Sequence, residues 1–155
     1  MDYKSKIFLI AGPTASGKSK IAINLAKKIN GEIVNADSMQ VYKQLKILTA
    51  RPSEKDQKKI KHHLFGIIDV RKRFSTGQWL KKCIKLINSI RKKNKTPIIV
   101  GGTGLYFKAL VDGLVKIPKF KTSEKNKILR LHNKLGQNQF YKRLLKLDPL
   151  SKKFV

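Results

Sequence analysis

Short unbroken apolar runs alternate along this chain with apolar residues spaced at helical intervals, and the order predicts strands and helices in turn. Ile7-Phe8-Leu9-Ile10-Ala11 is continuous and apolar, as in a strand buried on both faces. Ile21, Leu25 and Ile29, with Ala22 and Ala26 beside them, recur at near-helical spacing until Asn30-Gly31 stops the helix. Ile33-Val34-Asn35-Ala36 then predicts a second short parallel strand that ends at Asp37-Ser38. Residues 39 to 61 are less regular, with a break at Ala50-Arg51-Pro52 and a lysine-rich polar helix from about Glu54. The stretch from His62 to Asp69 predicts a partly buried edge strand. Ser75-Thr76-Gly77-Gln78 spells a capping box, and Trp79, Cys83, Leu86 or Ile87, and Ile90 mark one apolar face of the helix it opens. Pro97-Ile98-Ile99-Val100 is a compact apolar strand closed by Gly101-Gly102-Thr103-Gly104. The helix beginning at Leu105 should end near Asp112-Gly113.

Strands alternating with helices predict an α/β domain with a parallel sheet flanked by helices. Ligands of such sheets gather beyond the carboxyl ends of the strands, which is where Asp37 and Thr103 fall. The first strand leads into Gly12-Pro13-Thr14-Ala15-Ser16-Gly17-Lys18-Ser19, a glycine-rich phosphate-binding loop of the P-loop type, so the fold class is P-loop NTPase-like. Its two glycines let backbone N–H groups and a helix N-terminus converge on phosphate oxygens. Lys18 brings a mobile positive charge, and the Ser19 hydroxyl is placed to reach a magnesium ion on the same oxygens. A carboxylate at the next strand end suits phosphoryl transfer, or alkyl transfer away from diphosphate with Asp37 accepting a proton. A capping or magnesium-orienting acid is the plainer alternative for Asp37.

Pro118 separates the α/β part, residues 1–117, from a basic helical segment, residues 118–155. From Lys116 to Val155 there are twelve basic and two acidic residues. Ile128, Leu131 and Leu135 mark one short amphipathic helix, and Phe140, Leu144 and Leu147 another. Their free apolar faces favour a partial helical insert domain over an arm laid along RNA. Over the whole chain 36 Lys and Arg stand against 9 Asp and Glu, a formal charge of +27. That excess suits a polyanionic partner, nucleic acid first, although a solvated lysine-rich surface accounts for it as well.

Cys83 is the only cysteine and sits at helical spacing from Trp79 and Ile87, which reads as buried filling in a reducing, cytoplasmic setting. The residues before the first strand are too few for a signal peptide, and no apolar run approaches a membrane span. A monomer with no membrane partner is expected. His62 and His63 invite a metal reading, but strand neighbours point to opposite faces, so packing or a polar RNA contact is the expectation. Tyr106 and Phe107 fit a core pattern better than a stacking platform.

Several further motifs narrow the reading. The loop at 12–19, Asn35-Ala36-Asp37-Ser38-Met39-Gln40-Val41-Tyr42-Lys43, Thr49-Ala50-Arg51-Pro52, His62-His63-Leu64 and Gly101-Gly102-Thr103-Gly104-Leu105-Tyr106-Phe107 together resemble the tRNA dimethylallyltransferase (tRNA isopentenyltransferase) family. The resemblance runs from about residue 6 to 118 and more weakly to Asp148-Pro149. It implies magnesium-dependent transfer of a dimethylallyl group from its diphosphate to the exocyclic N6 of the adenosine on the 3′ side of the tRNA anticodon. Gly12, Pro13, Thr14, Ala15, Ser16, Gly17, Lys18 and Ser19 would then hold the diphosphate, with Ser19 near magnesium. Asp37 matches the family's general base. Ser38, Met39, Gln40 and Thr103 match segments that contact the tRNA, Thr103 helping to organise the transfer site, and Lys125 matches a more distant basic contact. Leu48 stands where the family carries glycine, and family members are roughly twice this length. A small-molecule P-loop kinase and a non-catalytic tRNA-binding remnant are the alternatives.

Overall fold

The computed structural model describes residues 6–115 and 120–153, and the chain divides into two compact units, Met1–Leu114 and Val115–Val155. In the first unit the strands are β1 (Phe8–Ala11), β2 (Gly31–Asn35), β3 (His62–His63) and β4 (Thr96–Gly101). Its helices are α1 (Lys18–Ile29), α2 (Glu54–Lys59), α3 (Thr76–Lys92) and α4 (Gly104–Asp112). All pairings are parallel and the sheet order is β1-β4-β2-β3. The register sets Ala11 beside Gly101 and Asn35 beside Val100, so β1, β4 and β2 end along one edge. The loops that follow them therefore open on the same side.

The strand period of two decides which side chain meets which helix. Ile33, Ile98 and Val100 point to one face, where Ala22 and Ala26 of α1 cover them. Val34, Ile99 and Ala36 point to the other and pack with Trp79, Cys83, Ile87 and Ile90 of α3 and Tyr106 of α4. Coverage of both faces is what the continuous apolar runs of β2 and β4 require, and both strands are buried throughout. The first run departs from the expectation of a strand buried on both faces: β1 lies at the sheet edge, where alternate residues face outward and Leu9 is exposed. Small residues on α1 let it lie close to the strands, while Trp79 and Tyr106 stack at 4.3 Å to fill the wider opposite layer. Burial pushes the Cys83 thiol up to about 12, so it is the inert core filler expected from its spacing.

Local signals set the ends of the helices. Ser75 accepts from the Gln78 backbone N–H at 3.2 Å, and the Gln78 side chain accepts from the Ser75 backbone N–H at 2.9 Å, completing the capping box. Asn30 takes a left-handed conformation at the end of α1, and β2 begins at once with Gly31. The strand expected over His62–Asp69 is much shorter. Only His62 and His63 pair with β2, because Leu64 at φ 62° and Gly66 at φ 57° turn the backbone out of extended geometry. A single parallel bridge joins Tyr42 to Ile68 further on.

In the second unit α5 runs from Thr122 to Leu147, and a 3₁₀ turn follows at Pro149–Lys153. Gly136 interrupts α5 with non-helical angles, φ 70° and ψ 165°, between the two amphipathic segments read from the sequence. His132 and Phe140 meet edge-on across that kink at 5.0 Å. No residue of α5 is buried. The expected boundary at 117/118, with Pro118, lies outside the described residues.

Candidate active site

The loop after β1 is fastened to the sheet, because Gly12 N–H donates to the Gly101 carbonyl at 3.3 Å. Ala15 and Gly17 take left-handed angles, φ 64° and 82°, which curl the loop and start α1 abruptly. The first helical bond runs from Ile21 N–H to the Gly17 carbonyl, leaving the amides of Lys18, Ser19 and Lys20 without an intrahelical acceptor. Such a concave run of N–H groups at a positive helix end is an anion cradle. The Lys18 ammonium folds back over the loop, donating to the Pro13 carbonyl and, at 3.3 Å, to Ser16 Oγ. Ser16 Oγ itself donates to the Pro13 carbonyl at 2.8 Å.

This loop forms one wall of a cleft of ≈ 530 Å³. Residues Thr14 to Lys20 line it, and Asp37, Gln40 and Thr49 face it from the loop after β2. Asp37 Oδ1 accepts the amides of Met39 at 2.8 Å and Gln40 at 3.3 Å, which closes a tight turn. No hydrogen bond reaches Asp37 Oδ2 from the described residues. The Gln40 side-chain amide donates one N–H to the Thr49 carbonyl at 2.8 Å, so its oxygen and its second N–H are left for a ligand. Met39 is half exposed beside them.

Thr103 begins α4 at the end of β4, and its Oγ1 accepts the Ser38 amide at 2.9 Å. The same hydroxyl donates to Ser38 Oγ at 3.2 Å. Thr103 and Ser38, both partly exposed, thus join the β2 and β4 loops next to Asp37 in the chain. The expected convergence of strand ends thus brings Thr14–Ser19 and Asp37 into one cleft, with Ser38 bonded to Thr103 beside Asp37 in the chain. Lys125 is an exposed residue on α5 in the second unit.

Two buried polar residues went unremarked in the sequence. Asn35 ends β2 at 0% exposure and bonds both Asp37 and Leu64. Glu32, at 1% exposure, accepts from His63 Nε2 at 2.7 Å and from Lys95 Nζ at 3.0 Å, near the amino end of the sheet and away from the cleft. The signal for each was a polar side chain set inside an apolar strand run. The His62 ring donates Nδ1–H to the Ile60 carbonyl at 2.6 Å, and burial pushes its imidazole down toward the neutral form. Among the described residues no group of three His, Cys, Asp or Glu side chains could hold a metal ion. His62 and His63 pair with β2, His63 bonds Glu32, and His62 also lines the cleft. No helix among the described residues is long and apolar enough to cross a membrane.

A family model described as IPP transferase matches residues 40–154. The chain is 63% identical over 149 residues to a tRNA dimethylallyltransferase of Pelagibacter ubique, covering 96% of this chain and 48% of that protein. It is 47% identical over 141 residues to a tRNA dimethylallyltransferase of Rhizobium rhizogenes, covering 91% and 47%. Among solved structures it is similar to the full-length tRNA isopentenylpyrophosphate transferase of Bacillus halodurans, with TM-score 0.71, 32% identity, and coverage of 97% of this chain and 50% of that one. It is also similar to a eukaryotic dimethylallyltransferase acting on tRNA, with TM-score 0.78, 33% identity, and coverage of 92% and 36%. The chain spans about half the length of the curated relatives it matches.

Proposed function

Because the chain belongs to the IPP transferase family, we propose that its cleft carries out a tRNA dimethylallyl transfer. The observation that carries this reading is the meeting of the phosphate cradle and the Asp37 carboxylate in one cleft. The donor is dimethylallyl diphosphate, and the acceptor is the exocyclic amine of the adenosine 3′ to the tRNA anticodon. The amine nitrogen forms a bond to the allylic carbon while the carbon–oxygen bond to diphosphate breaks, and its electron pair leaves with the diphosphate oxygen. The amine proton passes to Asp37, whose Oδ2 is the oxygen not already saturated by backbone N–H groups.

Residues Gly12 to Ser19 hold the diphosphate, and Lys18 swings from the Pro13 carbonyl to offset charge on the leaving group. Magnesium belongs to this proposal: the Ser19 hydroxyl, which lines the cleft, would offer it an oxygen ligand, and magnesium sites typically need few protein ligands. When bound it would neutralise diphosphate charge. Ser38, Met39, Gln40 and Thr103 contact the acceptor loop, with Lys125 a more distant contact. An adenosine flipped from an anticodon loop reaches such a cleft at less cost than one in a paired stem. A cytoplasmic setting and a monomeric state complete the reading; the single buried thiol fits the first.

The test is transfer of labelled dimethylallyl from its diphosphate to an anticodon stem-loop with magnesium present. Asp37→Ala should lower transfer on the order of 100-fold or more while donor and RNA binding persist. Lys18→Ala should weaken donor binding at least about tenfold, as for a lost charge-assisted contact. Turnover of ATP to ADP with a small acceptor would instead establish a kinase. Tight RNA and donor binding without label from the native chain would establish a binding-only product.

A further inference from the structure

We propose that Asn35 is the positioning residue for the proton acceptor: its side chain clamps the backbone of Asp37 and so fixes where Oδ2 stands in the cleft. The proposal rests on the reading of Asp37 as the base. Asn35 Oδ1 accepts the Asp37 amide at 3.0 Å, and Asn35 Nδ2 donates to the Asp37 carbonyl at 3.0 Å. One side chain thus grips the N–H and the C=O of the same residue, which restrains both of its backbone dihedrals and hence the direction of its Cα–Cβ bond. The second Nδ2 proton goes to the Leu64 carbonyl at 3.2 Å, a group brought there by the left-handed turn at φ 62°. The Asn35 carbonyl in turn accepts the Trp79 indole N–H at 2.8 Å. Clamp and strand end are therefore anchored to the turn after β3 and to α3 together.

Downstream of the clamp, Asp37 Oδ1 is held by Met39 and Gln40, and Oδ2 is the oxygen that remains. An orientation set by four bonds in series has little freedom, which is what proton transfer in a defined geometry needs. The residue type is specific. Aspartate at position 35 would turn an oxygen toward two carbonyls, alanine would leave those carbonyls and an amide unpaired, and serine offers one donor where two are used. Asn35 is fully buried and is not itself a lining residue of the cleft, so its side chain reaches the cleft through Asp37.

Asn35→Ala and Asn35→Asp should each lower kcat for transfer on the order of 100-fold, with the KM for dimethylallyl diphosphate unchanged. Hydrogen exchange read by NMR should show the amides of Asp37, Met39 and Gln40 opening at least about tenfold faster in Asn35→Ala, with Val34, Ile99 and the Trp79 indole still protected. Uniform loss of protection, or kcat and KM changing together, would make Asn35 a structural residue and overturn the proposal. Should the variants fail to fold, the native side-chain amide decides: Asn35 Nδ2 protons exchanging like a free amide would also overturn it. Retained transfer in Asp37→Ala would sink the reading of Asp37 while leaving the clamp measurable. With a native chain that transfers no label, the exchange pattern alone separates a clamp on Asp37 from a general support of the fold.

Discussion

At the mouth of the cleft the β2 and β4 ends approach so closely that a Cβ on Gly101 would fall on the carbonyl group of Ala36. That contact is backbone against backbone, with no flexible side chain to yield. Three bonds depend on the closeness: Gly12 N–H to the Gly101 carbonyl, Ala36 N–H to the Val100 carbonyl at 2.7 Å, and Thr103 N–H to the Ala36 carbonyl at 3.2 Å. Gly101→Ala should therefore destabilise the fold by about 2 kcal/mol or more and loosen the phosphate loop with it. Gly104→Ala is the control, since a Cβ there meets nothing within 4 Å and the position opens a helix. Urea midpoints and donor titrations of the two variants should separate cleanly. Equal stability of both would show that the strand ends can part without cost.

Between elements, the triad of Glu32, His63 and Lys95 ties β2 to β3 and to the residue just ahead of β4. Burial pushes the Glu32 carboxyl up, but the hydrogen bonds and charges of His63 and Lys95 outweigh it, and the group sits below its ordinary value of 4.5. A carboxylate depressed on folding adds stability that is present above pH 4.5 and is lost as pH falls through the lower folded value. Glu32→Gln should cost about 1–3 kcal/mol at neutral pH, the lower end being expected because Lys95 is partly in water, and should flatten the acid limb of a stability–pH curve. An unchanged acid limb would assign the loss to other carboxylates. Glu32 also shows where the sequence stopped being legible. Strands β1, β2 and β4, α1, the Ser75 capping box and the cleft-side positions of residues 14–19 and Asp37 all follow from signals within a few residues. The partners of Glu32 lie 31 and 63 residues away, the Asn35 amide reaches Leu64 across 29, and the Thr103 hydroxyl turns to Ser38 across 65. No period or local motif encodes those pairings; they exist only once the sheet order is set. The short β3 has the same origin, since a leucine in a left-handed turn contradicts its own local preference and is held by Asn35.

For the whole molecule, the formal charge of +27 makes salt act on stability and on RNA binding in opposite directions. Cations crowded on one folded surface repel each other, and salt that shortens the screening length relieves this, so the unfolding midpoint should rise as ionic strength increases. RNA binding should weaken over the same range, because each phosphate neutralised releases a counterion; six to ten such contacts imply a loss on the order of 10³ to 10⁵ in affinity between about 50 and 200 mM salt. Thermal melts and anticodon stem-loop titrations in matched buffers would read both trends. Stability that rises while RNA affinity stays flat would mean that the lysines are a solvated surface alone and that recognition rests on the neutral contacts around Gln40 and Thr103. Affinity that falls steeply for the stem-loop and for unrelated RNA alike would assign the charge to attraction of any polyanion. Under the proposed function, discrimination would then be left to the cleft.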